Sequence, residues 1–251
     1  MGRVGVVINY CSLENRFINR VVEECRHFVK FKQDIKIVRL QHLLTGEEDH
    51  DAIDFRYEDD GLESMTIITS PETIAEHGGR HYHNLCRYAG WKCMSPNVDY
   101  VLFLDADEVP DGKKFKKFLD TFKYENFNGM SFDAHWYFRS PENQATTPEE
   151  TTALFKRDVL TKENFFGPHE RWSMFTMNGC LRRFQIPWET EPIFHHYSWV
   201  RSKEDMLKKV AGWGHAGERD WTSLVNAEFE HEFNGTDFVH GYRYRKVKSF
   251  I

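Results

Sequence analysis

The sequence lacks the features that mark several common classes of protein. Its five cysteines include no Cys-x-x-Cys pair, so neither a disulfide framework nor a zinc site is indicated. No apolar run approaches the roughly 18 residues needed to cross a bilayer, and the first strand-like run begins at Val4. We therefore expect reduced cysteines, a cytoplasmic location, and no signal peptide or transmembrane segment.

Long runs of lysine or arginine are also missing, and the formal net charge is −6. Proteins dedicated to nucleic acids neutralise phosphates with clustered basic residues, so we expect no nucleic-acid partner. A negatively charged ligand would need local help, from a metal ion or a few arginines. Internal repeats and low-complexity tracts are absent too, and 251 residues can bury one sizeable core. We therefore expect a single domain spanning residues 1–251.

Short β-rich runs alternate with helical patterns in the first half of the sequence. The predicted strands are Val4–Ile8, Ile35–Leu40, Met65–Thr69 and Tyr100–Leu104, and the predicted helices are Glu14–Val29 and Glu72–Trp91. This alternation predicts an α/β fold with right-handed crossovers and a mostly parallel central sheet flanked by helices. In such folds, ligands bind beyond the carboxyl ends of the strands.

The second half reads as more mixed, with an α+β character. Helical spacing of apolar residues predicts helices at Gly112–Phe122, Lys203–Trp213 and Arg219–Phe233, and alternation predicts a strand at Met130–Phe138. The segment Ser140–Thr152 (SPENQATTPEETT) is polar and rich in helix breakers. We predict that it is a surface loop and the one internal seam of the chain.

An acidic turn follows the fourth predicted strand, in the segment VLFLDADEVPDG (Val101–Gly112). In an extended segment residues i and i+2 point the same way, so Asp105 and Asp107 can converge on one side. Carboxylates crowded at the mouth of a buried strand repel each other unless a cation lies among them. Such hard oxygen ligands suit Mg²⁺ or Mn²⁺. The alternative interpretation is an acidic turn that caps the next helix.

One family with this pattern is that of the haloacid-dehalogenase-like phosphohydrolases. The segment LFLDADEV resembles their motif, which would make Asp105 a nucleophile and Asp107 an acid. That family starts its core with this strand and needs a later acidic pair at the end of another strand. Here about a hundred residues precede the motif, so this alternative is the less favoured one.

The second family covers more of the chain. VDYVLFLDADEVPDG resembles the metal-binding segment of GT-A-type glycosyltransferases of the family 2 kind, and VGVVINYCSLENRFINRVVEEC resembles their opening strand, nucleotide-facing loop and first helix. FGPHERW (Phe166–Trp172) and IFHHYSWVRS (Ile193–Ser202) resemble the "H-E … H-Y-S" arrangement of a subgroup that includes lipopolysaccharide-core sugar transferases.

This resemblance implies a GT-A fold, with residues 1–110 as the nucleotide-sugar-binding half and 111–251 as the acceptor-binding half with C-terminal helices. It also implies an inverting transfer of a sugar from a UDP- or GDP-type nucleotide sugar to a glycan, lipid-linked or protein-linked hydroxyl. A noncatalytic nucleotide-sugar or glycan binder with the same fold is a further alternative.

The resemblance also assigns metal ligands. Asp107 would bind Mn²⁺ or Mg²⁺ directly, and Asp105 would contact the ribose or a metal-bound water, so that both belong to the metal and donor site. His196 takes the ligand position of the H-Y-S motif, and His195 would point to the opposite side if the segment is extended. Glu108 would orient the two aspartates or cap the next helix.

The nucleotide is expected next to Asn9, Tyr10 and Ser12, which follow the first strand, with Tyr10 able to stack on the base. Arg80 stands where the family often has a basic residue facing the diphosphate. The basic segment Tyr242–Lys248 (YRYRKVK) is compatible with an anionic acceptor, with peripheral contact to a membrane surface, or with simple solvation.

An inverting transferase also needs a base that takes the proton of the acceptor hydroxyl. Glu170 occupies the H-E position and is the predicted catalytic base, with Asp133, Glu189 and Glu191 as reserve candidates. Trp172, beside Glu170, is the predicted acceptor contact, because most of the other large aromatic residues should belong to the core.

Overall fold

The computed structural model describes residues 2–42, 62–167, 171–177, 191–212, 215 and 217–251. The elements of the first half are β1 (Val4–Tyr10), α1 (Asn15–Cys25), β2 (Ile35–His42), β3 (Glu63–Thr69), α2 (Pro71–His77), α3 (Gly79–Lys92) and β4 (Tyr100–Asp105). The four strands pair in parallel in the order β3-β2-β1-β4. The α/β fold class and the parallel sheet flanked by helices are therefore confirmed.

Side chains of β1 alternate between two apolar clusters on the two faces of this sheet. Val6 and Ile8 pack in the cluster that contains the apolar face of α1. Val7 packs on the other face, in the cluster that includes residues of α3. The strand is buried on both faces, as in α/β proteins whose helices cover both sides of a parallel sheet.

Helix α3 lies very close to the sheet. A Cβ at Gly90 would come within 2.5 Å of Cγ1 of Val7, so only a glycine permits this approach. The sequence predicted one helix over Glu72–Trp91, but the structure has two, because Gly78 adopts φ of 76° between them. With ψ of 154°, that backbone conformation is essentially open only to glycine and cannot belong to a continuous helix.

The remaining elements are β5 (Glu108–Pro110), α4 (Gly112–Thr121), β6 (Gly129–Phe138), β7 (Ser140–Ala145), β8 (Glu149–Lys156), α5 (Lys162–Phe165), α6 (Arg171–Met177), β9 (Phe194–Trp199), α7 (Lys203–Gly212), α8 (Trp221–Glu228) and β10 (Tyr244–Lys246). Strand β8 joins β4 antiparallel and continues the sheet through β6, β7 and β10. Strand β9 lies off this path, parallel to β6 and antiparallel to β5. Strands from both halves of the chain thus belong to one sheet, while the division at residue 110 stays a prediction.

The prediction of a surface loop over Ser140–Thr152 is wrong, because most of the segment belongs to strands β7 and β8. Two of its polar residues, Asn143 and Gln144, are buried with partners that polarity alone cannot reveal. Asn143 donates its side-chain N–H to the carbonyl of Phe138, and Gln144 donates to the hydroxyl of Tyr137. Satisfied amides of this kind can be buried at little cost.

No helix among the described residues is long and apolar enough to cross a membrane.

Candidate active site

A cavity of about 430 Å³ opens where β1 and β4 end, within the roughly 300–1,000 Å³ typical of ligand pockets. Asn9 and Asp105 pair in register at these strand ends, and the Asn9 carbonyl accepts the backbone N–H of Ala106. Asn9, Tyr10, Asp105, Asp107 and His196 all line the cavity. The structure thus brings together five of the residues that the sequence assigned to donor and metal binding.

Asp105 forms an ion pair with a buried arginine. Nη2 of Arg87, whose side chain is 1% exposed, donates to both carboxylate oxygens at 2.9 and 3.2 Å, and Nη2 of Arg171 lies 3.6 Å away. Burial alone would raise the pKa of Asp105, but Arg87, Arg171 and His83 outweigh burial and hold it well below its ordinary value. Asp105 therefore carries its charge at any physiological pH.

Glu108 is fully buried and organises the acidic turn. Its Oε2 accepts the backbone N–H of Asp105 at 2.8 Å, and both of its oxygens accept Arg171 at 2.7 Å. The two parallel bonds to one guanidinium fix orientation as well as charge. Glu108 thus fixes the geometry of the turn, which agrees with the predicted orienting role.

The two oxygens of Asp107 face different partners. Its Oδ1 lies 3.5 Å from Nε2 of His196, whereas Oδ2 accepts Nη2 of Arg201 at 3.1 Å and lies 3.9 Å from Nζ of Lys209. Burial would raise the pKa of Asp107, but His196, Lys209 and Arg201 together hold it far below its ordinary value. We call these two sides the histidine edge and the cationic edge of Asp107.

Strand β9 delivers the partners of the acidic turn. Glu108 and His196 pair across the β5–β9 ladder, and the backbone N–H of Tyr197 donates to the carbonyl of Asp107 at 2.8 Å. Arg201 follows directly after the strand. Its Nε donates to the carbonyl of Ser198 at 2.9 Å. The pairing register therefore decides that a histidine and an arginine reach opposite edges of one carboxylate.

The histidine edge fits a divalent cation in part. Neighbouring donors on a Mg²⁺ ion with bonds of about 2.1 Å are about 3 Å apart, close to the 3.5 Å between Oδ1 of Asp107 and Nε2 of His196. Among the described residues no group of three or more histidine, cysteine, aspartate or glutamate side chains could hold a metal. The protein would thus supply two donors, and phosphate oxygens and water the rest, as is usual for Mg²⁺. Nδ1 of His196 is buried with no hydrogen-bond partner among the described residues.

Two residues predicted to bind the donor lie away from the cavity wall. Ser12 is in a 3-10 turn (Ser12–Glu14) after β1, and Arg80 lies in the first turn of α3, and neither lines the cavity described here. Tyr10 does line it but is only 2% exposed, and its hydroxyl donates to Oδ1 of Asn15. Base stacking by Tyr10 and the roles of Ser12 and Arg80 stay predictions.

Of the residues predicted as catalytic base or acceptor contact, none that the structure describes lines the cavity. Glu170 and Glu189 lie outside the described residues, so their roles stay predictions. Asp133 and Glu191 are described but do not line the cavity. Trp172 packs against the apolar cluster under α3 instead. The cavity is also lined by residues that the sequence did not single out, among them Trp136, Glu149, Trp221 and His240.

Sequence reasoning also missed the four cations that neutralise the two aspartates. Arg87 is one turn before Gly90 on α3, so the close helix–sheet contact brings it to Asp105. Arg171, Arg201 and Lys209 come from distant segments. A buried carboxylate requires a counter-charge, so the sequence indicated that basic residues would pair with the two aspartates. It did not indicate which of the many basic residues would do so.

Comparison with known proteins shows only distant likeness. No family model matches the chain, and no curated protein matches it either.

Among solved structures, 4-diphosphocytidyl-2C-methyl-D-erythritol synthase from Anaerococcus prevotii is 12% identical, with a TM-score of 0.46 over 82% of this chain and 96% of that one. S. aureus TarS 1-349 in complex with UDP-GlcNAc is 12% identical, with a TM-score of 0.47 over 92% of this chain and 73% of that one. Against the longer S. aureus TarS chain, the identity is 12%, the TM-score is 0.44, and the match spans 91% of this chain and 43% of that one. Similarities of this size establish neither a family nor an activity, so the function has to be inferred from the site.

Proposed function

We propose that this chain is a glycosyltransferase that moves a sugar from a nucleoside-diphosphate sugar to a hydroxyl of a glycan, lipid-linked or protein-linked acceptor, with Mn²⁺ or Mg²⁺ as cofactor. The observation that carries the proposal is the split environment of Asp107. One edge of its carboxylate faces a histidine, and the other faces buried cations, at the carboxyl end of a parallel sheet. This is where α/β folds bind nucleotides.

The chemistry of sugar transfer requires compensation of negative charge on the leaving diphosphate. A divalent ion held by Asp107 and His196 would neutralise phosphate oxygens when the donor is bound. Asp105 is fixed by Arg87, and Glu108 and Arg171 fix the turn around it, so the carboxylates need little reorganisation when the donor arrives. Asn9 lies beside Asp105 at the end of β1, where the nucleoside is expected.

The inverting outcome rests on the sequence resemblance. It requires a carboxylate that takes the acceptor proton while the acceptor oxygen attacks the anomeric carbon from the face opposite the diphosphate. Glu170 is the proposed base on the resemblance alone. Trp136, Trp221 and His240 line the cavity, and they are the proposed acceptor contacts because aromatic rings present large apolar faces.

The phosphohydrolase alternative gains no support from the site. Both oxygens of Asp105 accept Arg87, so nucleophilic attack by this carboxylate would first require breaking a buried ion pair. A noncatalytic binder differs from the proposed enzyme in one observable way. It would bind a nucleotide sugar without releasing nucleoside diphosphate from it.

The proposal is tested by turnover of a panel of UDP- and GDP-sugars with Mn²⁺ or Mg²⁺. A donor should raise the melting temperature by mass action, and nucleoside diphosphate should be released only when metal is present. Asp107→Asn keeps an oxygen for Arg201 and should lower turnover by about 100-fold or more, the order of one strong electrostatic contribution. Asp120→Asn, on the exposed surface of α4, is the matched control. Full metal-dependent turnover by Asp107→Asn would refute the proposal.

A further inference from the structure

Lys209 stands apart from the other cations of the cavity. It lies on α7, lines the cavity, and is 16% exposed. Its ion-pair partner among the described residues is Oδ2 of Asp107 at 3.9 Å, a distance too long for a hydrogen bond. Among the described residues, none accepts a hydrogen bond from this ammonium group. A largely buried ammonium whose donors face a cavity indicates a ligand that accepts hydrogen bonds.

Arg201, on the same edge of Asp107, is in a different position. Its guanidinium donates to the carbonyls of Ser198 and Leu13 and to the carboxylates of Glu14 and Asp107, and it is 1% exposed. Arg201 is therefore a structural tie between the loop after β1 and the acidic turn. Lys209 is the neighbouring charge that can contact a molecule in the cavity.

Lys209 adds a second positive charge beside Arg201 at the cationic edge of Asp107. Lys209 lines the cavity, whereas Arg201 does not. An anion in the cavity would accept hydrogen bonds from the Lys209 ammonium and lie against its charge. The site therefore favours a ligand of negative charge over a neutral one.

We propose that Lys209 binds the diphosphate of the nucleotide-sugar donor at the cationic edge of Asp107, as a catalytic residue that stabilises the leaving group. The inference rests on the proposed function and extends it. A metal at the histidine edge and Lys209 at the cationic edge would approach the diphosphate from two sides. The charge on the departing group is then compensated twice, once by the cofactor and once by the chain itself.

The step balances without any further reactant. The bond between the anomeric carbon and the β-phosphate oxygen breaks, and its electron pair remains on that oxygen, next to the Lys209 ammonium. The acceptor oxygen forms the new bond to the anomeric carbon, and its proton passes to the carboxylate base. Lys209 keeps its own proton throughout, because its part is to stabilise charge and not to act as an acid.

Removing the β-phosphate from the ligand provides the sharpest test. Lys209→Met should weaken binding of UDP or GDP, whichever the wild type binds with Mn²⁺, by about 10-fold or more, the order of one hydrogen bond between charged groups. Binding of UMP or GMP should change by less than about threefold. Lys208→Met removes a charge from the solvent-facing side of the same helix, where Lys208 pairs with Glu204, and should change neither affinity.

Turnover gives the second measurement. If Lys209 stabilises the departing group, Lys209→Met lowers kcat as well as raising KM, because the charge on the diphosphate grows towards the transition state. Lys209→Arg should recover part of the loss. Should Lys209→Met prove too unstable to study, Lys209→Gln keeps a hydrogen-bond donor without the charge and is measured instead.

Equal weakening of diphosphate and monophosphate, or no weakening of either, would overturn the assignment of Lys209. A wild-type protein that binds neither UDP nor GDP in the presence of Mn²⁺ would overturn the proposed function, and with it this inference. A protein that binds and turns over donor normally while Lys209→Met matches the wild type leaves the proposed function in place and removes only Lys209 from it.

Discussion

His195 and His196 are neighbours in strand β9, yet their side chains lie in opposite environments. His196 faces the cavity and lies 3.5 Å from Asp107. His195 faces the interior on the other side, where Nδ1 is 2.8 Å from the Tyr137 hydroxyl and the ring stacks on Phe250 with centroids 4.1 Å apart. The prediction that His195 points away from the site is confirmed. The comparison teaches that residue type does not distinguish a cavity residue from a core residue, whereas the face of the strand does.

The largest effect is expected when the inward histidine is removed. His195→Ala takes a packed ring from between Tyr137 and Phe250 and deprives the Tyr137 hydroxyl of one partner. Lost packing and a weakened buried hydrogen bond should lower the free energy of unfolding by about 2–4 kcal/mol. Chemical denaturation measures this loss, and kcat of the folded enzyme should remain within about threefold of the wild type. A stable variant without activity would reverse the roles assigned to the two histidines.

Removing His196, which faces the cavity, should affect turnover more than the free energy of unfolding. His196→Gln removes one of two protein donors at the histidine edge, and metal-dependent turnover should fall by about 10-fold or more, as when groups of a metal site are lost. The free energy of unfolding should change by less than in His195→Ala, since His196 borders a cavity. Titration of turnover against Mn²⁺ concentration is the measurement. An unchanged requirement for Mn²⁺ would remove His196 from the metal site.

The buried histidines His195 and His135 should make the folded protein less stable at acidic pH. Burial lowers the pKa of His195 to about 3 and that of His135, on β6, to about 4, and nearby Lys114 on α4 adds to both shifts, with Arg20 on α1 adding to that of His195. The ordinary pKa of histidine is about 6.5. Below that pH, the two imidazoles take up protons in the unfolded chain but stay neutral in the folded chain. Stability is present above about pH 6.5 and is lost as the pH falls, by at most about 1.4 kcal/mol per pH unit for each histidine.

The aspartates contribute in the same direction but in a lower window. Their pKa values are depressed in the folded state, so their stabilisation is lost only as the pH falls through about 4, where the unfolded carboxyls take up protons. Unfolding free energies measured between pH 6.5 and 5 therefore report mainly on the histidines. His195→Gln should flatten the slope in this window, and an unchanged slope would show that His195 does not control it.

The smallest effect is expected from the residue that stacks on His195. Phe250→Ala removes a partly buried ring and should cost about 0.5–1.5 kcal/mol, the scale of one aromatic pair. A double-mutant cycle with His195→Ala measures the coupling between the two rings. Additive losses would mean that the stack contributes nothing of its own.

Local patterns were enough to predict much of the fold. The first four strands, the buried face of α1 and the acidic turn at the end of β4 follow from apolar spacing over a few residues. The strands β7 and β8 could not be predicted in this way, because Asn143 and Gln144 look like loop residues until their partners on β6 are known. Polarity predicts exposure only when no buried partner is present.

The candidate site was predictable only in its carboxylates, in His196, and in Asn9 and Tyr10 at the end of β1. The partners that give those groups their charge balance are remote along the chain, with Arg87, Arg171 and Arg201 lying 18, 63 and 94 residues from the acidic residues they contact. The sequence places Lys209 on the predicted helix Lys203–Trp213, and nothing in the pattern marks it as a cavity residue, because lysines on an amphipathic helix normally face water. Long-range pairing leaves no periodic signal in one sequence.

The position of β9 also has a consequence for how the protein is made. This strand comes late in the chain but inserts between β5 and β6, which are formed from much earlier residues. During synthesis, the acidic turn leaves the ribosome about 90 residues before its histidine and arginine partners do. At about 5–20 residues per second, the nascent chain spends several seconds in which Asp107 lacks these two partners, so the cavity around Asp107 is among the last parts of the molecule to reach its final form.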